Sequence, residues 1–356
     1  MVLCAGCVSR GGGALPDPGG TPGGPSPGTP SPGGPAAPLP TVTVDPTTSD
    51  GSARAVRILV TDPDGSQRAL VAASGPTELV VVPGGAVTVI DVARRALTTW
   101  LDVDGGELLR DRQQPPPTVE SGATTDRAAE IAGIAPNIRF LRAKVTRIDG
   151  GRLSAGRDLA ASPANGRAGG MLGIPDGATA SAAWRTLILY MDSAVAQVPS
   201  SWLFDASAPP ISTSFDASRA LPFLSQAQAA VDAAGRLRVS WHPEARLDGV
   251  DVGRISLTWR GLDDLYTTWE VRFPYRGDDA IVLPPLPPAI AAGLTLPSGA
   301  VALFTELALF DFSDGARAAA FLADMSAFGT GVVGVVRDLD HLGAAGVARM
   351  TFVTPF

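Results

Sequence analysis

Between Gly11 and Pro40, twenty of thirty residues are proline or glycine, ten of each, and Asp17 carries the only charge. Such a stretch buries almost nothing against the entropy lost on ordering it, so it cannot join a core. With its flanks it predicts a disordered tether over residues 8–50, of polyproline II character. Its reach is roughly 30 Å as a flexible coil and about 100 Å if drawn out. The serines and threonines within it suit a glycosylated stalk equally well. Gly24-Pro25-Ser26-Pro27-Gly28 spells the hydrolase pattern G-x-S-x-G. That elbow needs a strand-to-helix turn, which a proline on each side of the serine forbids.

Both cysteines, Cys4 and Cys7, precede the tether, so no disulfide framework can hold the rest of the chain. Their C-x-x-C spacing suggests a redox dithiol only where a helix follows to lower a thiol pKa. Here Gly11-Gly12-Gly13 and the proline tract follow instead. Leu3-Cys4-Ala5-Gly6-Cys7 resembles the end of a bacterial lipoprotein signal peptide, with small residues before the acylated cysteine. The resemblance implies that residues 1–7 are the remnant of a signal and that Cys7 carries lipid. Cys4 stands where that family usually has a branched aliphatic residue. The six residues before Cys7 hold no basic or apolar region, so export requires a leader encoded upstream of Met1. Three acyl chains would exceed the two signals that stable anchoring takes. Val8 follows the cysteine where an Asp would favour inner-membrane retention, so the analogy points to the outer membrane. The rival expectation is an unprocessed cytoplasmic protein with two incidental cysteines.

A chain of 356 residues is too long for one ordinary core, which predicts two or three domains after the tether. Its net charge of −7 argues against nucleic acid, whose phosphates need a basic face. From Ala55 onward short alternating strands dominate. Val56, Ile58 and Val60 share a face, and Asp62-Pro63-Asp64-Gly65 is a strong turn. Strands over Gln67–Ala72, Thr77–Val82, Ala86–Val92 and Leu97–Val103 follow, making residues 51–112 a small β-sandwich. A strand, an Asp-Gly turn and then Val-Pro-Gly-Gly-Ala-Val-Thr-Val resemble the carboxypeptidase-regulatory-like and Ig-like modules of exported bacterial proteins. The resemblance covers residues 52 to 110 and implies a structural or display module with no catalytic residues to carry over.

Residues 113–136 read as a linker through Pro115-Pro116-Pro117, with a short helix over Thr124–Ala132 behind an Asp126 cap. Residues 137–234 form a β-rich middle segment with strands at Ile138–Ile148 and Thr186–Asp192 and a loop from Ser154 to Thr179. Residues 235–356 predict an antiparallel β domain. Its strands Arg236–Trp241, Arg254–Trp259 and Thr268–Phe273 each end or begin near a tryptophan and read as one sheet. Ala229–Gly235 forms a hairpin into the first of them. Ala280–Thr305 lacks charge, but Pro284, Pro285, Pro287, Pro288 and Pro297 exclude a membrane-spanning helix; it reads as strand, proline-rich turn, strand. One short helix near the C-terminus is capped by Asp314, with Phe321, Leu322, Met325 and Phe328 on one face. Val332–Val336 and Ala348–Val353 close as strands. The fold class is therefore mostly β: tandem β-sandwich domains behind a tether.

Catalytic signals are weak. Gly329-Thr330-Gly331-Val332-Val333-Gly334 matches G-x-G-x-x-G, but a helix precedes it and valines follow, the reverse of a dinucleotide site. With only His242 and His341, a three-histidine or HExxH zinc site is excluded by count. Neither histidine has a companion serine motif. Asp62, Asp64, Asp102 and Asp104 place alternate carboxylates beside glycine turns, the hard oxygen ligands that calcium takes. Yet the full twelve-residue loop with its terminal Glu is absent, and Asp at turns has conformational reasons of its own. Tryptophans at alternating positions belong to a core before they stack sugars. The expectation is a lipid-anchored envelope protein serving as a surface binding or structural module, with no cofactor and membrane lipid as partner through Cys7. The alternative is an envelope hydrolase, glycan-directed, working through acidic loop residues.

Overall fold

The computed structural model describes residues 38–48, 51–111, 119–149, 152–177, 183–191, 199–207, 211–232, 236–260, 264–294, 304–323, 342 and 346–353. Cys4, Cys7, the Pro/Gly tract up to residue 37, Pro115–Pro117, Gly329–Gly334 and His341 lie outside them. So do Met325, Phe328 and the expected strand Val332–Val336.

The protein is mostly β. Residues of the first expected sandwich give β1 (Thr41–Asp45), β2 (Val56–Thr61), β3 (Gln67–Ala73), β4 (Thr77–Val80), β5 (Gly85–Asp91), β6 (Ala96–Val103) and β7 (Leu108–Arg110). Next come β8 (Val119–Ser121), β9 (Thr124–Ala132), β10 (Phe140–Asp149), β11 (Arg152–Ala155), β12 (Leu159–Ala161) and β13 (Ala168–Pro175). These lead to β14 (Ala183–Tyr190), β15 (Ser200–Ser207), β16 (Ser214–Asp216), β17 (Leu224–Val231), β18 (Leu237–Pro243), β19 (Val252–Arg260), β20 (Tyr266–Pro274) and β21 (Ala280–Val282). The chain ends with α1 (Pro288–Gly293), β22 (Phe304–Phe312), α2 (Gly315–Ala323) and β23 (Val347–Val353).

A long sheet runs β3-β2-β5-β6-β20-β19-β22-β23-β15-β14-β10-β11-β8, with β12 also pairing β10. Residues 51–112, 137–234 and 235–356 all contribute strands to it. Three small sheets, β4-β1-β7, β17-β18-β21 and β13-β9-β16, cover it in patches. The alternation of the spine strands explains which face each cover takes. On one face Ile255, Leu257, Trp259, Trp269 and Val271 pack against Val239 and Trp241 of the β17-β18-β21 sheet. On the same face further along, Leu141, Leu187 and Leu203 meet Ile131, Leu172 and Phe215. On the opposite face Ile58, Val87, Val89 and Trp100 meet Val42 and Val44 of β1. Phe310 and Phe312 on that face meet Phe321 of α2, with ring centroids 5.0 Å apart in both pairs.

Several expectations are corrected. β1 lies inside the stretch read as tether 8–50; Val42 and Val44 alternate inward and fill the first core. Thr124–Ala132 is a strand: Ala129 and Ile131 alternate inward, and Asp126 pairs with Arg157 instead of capping a helix. The loop from Ser154 to Thr179 contains β12 and β13. Its glycines hide the strand, because they carry no side chain to alternate yet are needed for close packing. A Cβ on Gly173 would lie 2.6 Å from that of Arg157. The three tryptophan strands do not form one sheet: Trp241 comes from the facing β17-β18-β21 sheet, and the core between the sheets unites it with Trp259 and Trp269. The proline-rich turn holds a short helix, α1, which opens with Pro288 at its first position, where a missing N–H costs nothing. The hairpin of β17 and β18 and the Asp314 cap stand as read: Ala316 N–H donates to Asp314 Oδ1 at 3.0 Å. No helix among the described residues is long and apolar enough to cross a membrane.

Candidate binding cleft

The turn Asp62-Pro63-Asp64-Gly65 reverses β2 into β3 through Gly65, at φ 88, with its N–H on Asp62 O at 2.9 Å. Beside it, the Pro83-Gly84-Gly85 turn opens β5. A Cβ on Gly85 would stand 2.6 Å from Thr61 O, so only glycine allows the two backbones this approach. Both hairpins then carry a bulge. Arg68 is the extra residue of β3 opposite β2, and Asp102 is the extra residue of β6 opposite β5. Asp102 sits at φ 56, the left-handed region that costs an ordinary side chain about 1 kcal/mol or more. Bulges re-aim side chains out of the sheet alternation. Here they turn two charged groups toward the same end of the sandwich.

A cleft of about 300 Å³ opens there, lined by Asp62, Asp64 and Asp102 and by residues of β20, β21 and the segments after them. Its apolar surface comes from Leu101, Phe273, Ile281 and Leu283, together with Pro63, Pro284 and Pro285. Thr61, Tyr275, Arg276, Asp278 and Arg236 supply the rest of the polar side chains. Three of the sequence-predicted carboxylates are thus brought together. Asp104 is not among the lining; it is exposed in a turn that Glu107 holds through the N–H of Asp104 and of Gly105.

The charges are largely spoken for. Asp62 takes Arg68 in a bidentate pair, Nε to Oδ1 at 2.6 Å and Nη2 to Oδ2 at 2.9 Å. This bond holds the Arg68 guanidinium above its ordinary pKa. Asp102 faces Arg276 at 3.2 Å, and Arg236 pairs with Asp232 at 3.0 Å. Asp64 accepts the Ser66 N–H at 2.8 Å, and the hydrogen bonds from Ser66 lower its pKa. Burial, then Asp278 and Asp279, raise the Tyr275 pKa, so its phenol stays a neutral donor. Asp64 and Asp278 have no ion-pair partner among the described residues, which leaves the cleft net negative. Among the described residues no three acidic, histidine or cysteine side chains gather closely enough to hold a metal ion. His242 is exposed on β18.

A second charged cluster lies on the face that α2 covers. Ser256 of β19 stands between Glu270 of β20 and Glu306 of β22. Arg254 Nε donates to Glu270 Oε2 at 2.8 Å, both side chains about 5% exposed or less. Glu306 lies beside this matched pair, and burial pushes its pKa up to about 7. Arg254 opposes that shift and Glu270 adds to it. Nearby Arg272 lies over the Trp100 ring at 5.0 Å, and both donate to Leu322 O at 3.0 Å. These two bonds to Leu322 O tie α2 to the sheet.

Sequence reading missed Arg236, Tyr275, Arg276 and Asp278. The run Pro274-Tyr275-Arg276-Gly277-Asp278-Asp279, a polar turn after a clean strand, was the available signal. Trp202, Trp241, Trp259 and Trp269 are all buried, as core residues.

Neither a protein family nor a curated protein matches the chain. Among solved structures it is similar to the FN1–FN3 domains of chicken CNTN1, at 11% identity and a TM-score of 0.18, covering 77% of this chain and 93% of that one. It is also similar to trypsin-activated alpha-2-macroglobulin from Escherichia coli, at 9% identity and a TM-score of 0.19, over 77% of this chain and 23% of that one. The Y1175G mutant of Salmonella alpha-2-macroglobulin gives 10% identity and a TM-score of 0.19, over 77% and 21% respectively. These likenesses assign no function.

Proposed function

We propose that this chain is a lipid-anchored envelope protein whose β body is a surface binding or structural module, with the cleft as its point of contact. The observation that carries the reading is the state of the cleft's charges. Asp62 and Asp102 are tied to arginines, so they are poor candidates for the free acid and base that hydrolysis needs. What remains is an apolar wall, a neutral tyrosine donor and a net negative rim, which suits a ligand with an aliphatic body and a cationic group. The lipobox-like Cys7 and the Pro/Gly tract after it support anchoring at a membrane, with reach enough to lift the body from the lipid.

The test uses purified cell-wall sacculi, whose peptide stems carry aliphatic side chains and free amines. Wild-type chain should co-sediment with them, losing binding as salt rises, and Tyr275→Ala and Asp278→Asn should each weaken it several-fold. Equal sedimentation of wild type and both variants would sink the cleft as the contact point, and release of soluble sugar products would favour the hydrolase alternative. Cys7→Ser should move the protein from the membrane to the soluble fraction; unchanged partitioning would refute the anchor.

A further inference from the structure

β3 is the end strand of the long sheet, and β2 is its one strand partner among the described residues. Its seven residues, Gln67 to Ala73, contain no proline, glycine or lysine, the usual guards of a free edge. The single charge, Arg68, is turned away into its pair with Asp62. At its far end the same sheet finishes on β8, only three residues long.

The backbone phase of this edge follows from β2. Thr61 O lies where a Cβ on Gly85 would sit 2.6 Å away, so Thr61 turns its backbone groups toward β5. Along β2 the direction alternates: Leu59 and Arg57 also bond toward β5, and Ile58 and Val60 bond toward β3. Leu70 is opposite Leu59, and Ala72 opposite Arg57. Both therefore point their N–H and C=O groups at the open edge. The Leu70 side chain is 37% exposed, on the face where its neighbour Leu59 is fully buried.

We propose that β3 pairs antiparallel with β3 of a second copy of this chain, about a two-fold axis at Leu70, joining the two long sheets into one. In that register the two Leu70 residues exchange backbone hydrogen bonds and lie side by side, covering each other. Arg68 falls opposite Ala72 and Gln67 opposite Ala73, so no like charges meet and no bulky pair collides. Ala69 and Val71, half-buried at the rim of the first core, fall opposite each other and continue that core across the axis. A two-fold contact must be self-complementary, and the order of residues in β3 is so about this centre.

Sedimentation equilibrium decides it, on the full chain carrying Cys7→Ser in reducing buffer, so that neither lipid nor disulfides drive association. The mass should rise from 36.3 kDa toward twice that value as concentration increases from low micromolar to near-millimolar. Leu70→Lys and Leu70→Glu each place like charges across the axis and should hold the mass at the monomer, and an equimolar mixture of the two should restore the dimer. Leu70 is at the surface, so unchanged thermal unfolding of both variants shows that the fold is intact. A wild type that stays monomeric throughout, a Leu70→Lys chain that dimerises like wild type, or a mixture that fails to associate would each overturn the pairing.

Discussion

Glu306→Gln should stabilise the protein above neutral pH and have little effect near pH 4.5 and below. The side chain lies beside an Arg254–Glu270 pair that is already matched, so its own charge is buried without a partner of its own. Burial, reinforced by Glu270 and opposed by Arg254, moves the carboxyl from its ordinary 4.5 to about 7. At roughly 1.4 kcal/mol per tenfold change in proton affinity, this corresponds to about 3 kcal/mol. The folded state holds a proton that the unfolded chain releases, so stability falls as pH rises between these values. Below about 4.5 both states are protonated and the penalty is absent; above about 7 it is present in full. Glutamine keeps the shape without the charge and should remove the penalty.

Urea unfolding of wild type and Glu306→Gln, repeated from pH 4.5 to pH 8.5, measures the effect as a difference. Carboxylates elsewhere titrate alike in both proteins and cancel. The variant should match wild type near pH 4.5 and exceed it by up to ~3 kcal/mol at pH 8 and above. Two stability curves that run parallel across the whole range would refute the reasoning, because Glu306 would then titrate equally in the folded and unfolded chains.

Other substitutions test separate parts of the structure. Glu270→Gln takes the bonded carboxylate from the buried Arg254 guanidinium and should cost up to about 3–5 kcal/mol in urea unfolding, with the loss shrinking as pH rises and Glu306, relieved of the Glu270 charge, ionises beside Arg254. Phe321→Ala empties the contact with Phe310 and Phe312 and should cost about 3–5 kcal/mol, with α2 the first segment to lose hydrogen-exchange protection. Gly85→Ala drives a Cβ into Thr61 O and should destabilise by at least 1–3 kcal/mol (order of magnitude), measured as a lowered melting temperature. Asp102→Gly relieves the left-handed backbone while breaking the Arg276 pair. Its stability should therefore stay within about 1 kcal/mol of wild type, whereas Asp102→Val should fall clearly below it.

The strands were legible wherever side chains alternate in size as well as polarity. β2, β19 and β20 and the turn Asp62–Gly65 are where the pattern puts them, because each buries one apolar face and ends on residues that favour a turn. A strand is hidden where that contrast is missing. In β13 the glycines at 169, 170 and 173 give no alternation to read, although their lack of side chains is what lets Leu159 and Arg157 approach. In β9, Thr124 to Ala129 is polar or small at every position, and Asp126, which resembles a helix cap in sequence, takes Arg157 from outside the strand as its partner.

The same limit explains how the cleft was half found. Asp62, Asp64 and Asp102 were visible as turn carboxylates, but what makes them a site is the arrival of Arg276 and Tyr275 from a strand more than 170 positions away in sequence. β20 lies parallel to β6, with Thr268 beside Ala96 and Arg272 beside Trp100. A parallel pair cannot be joined by a tight turn, so no local signal announces it. Parallel neighbours also finish at the same end of a sheet. That alone carries the end of β20 to the Asp102 bulge of β6, where the arginine that follows finds its carboxylate. An alternating polar face likewise reads as solvent-facing when each strand is taken alone. Arg254, Glu270 and Arg272 occupy such a face, and the placement of α2 over it turns three surface-like residues into a buried ionic layer. Site and layer both arise from the order of strands in the sheet, a property of the whole chain that no window of residues contains.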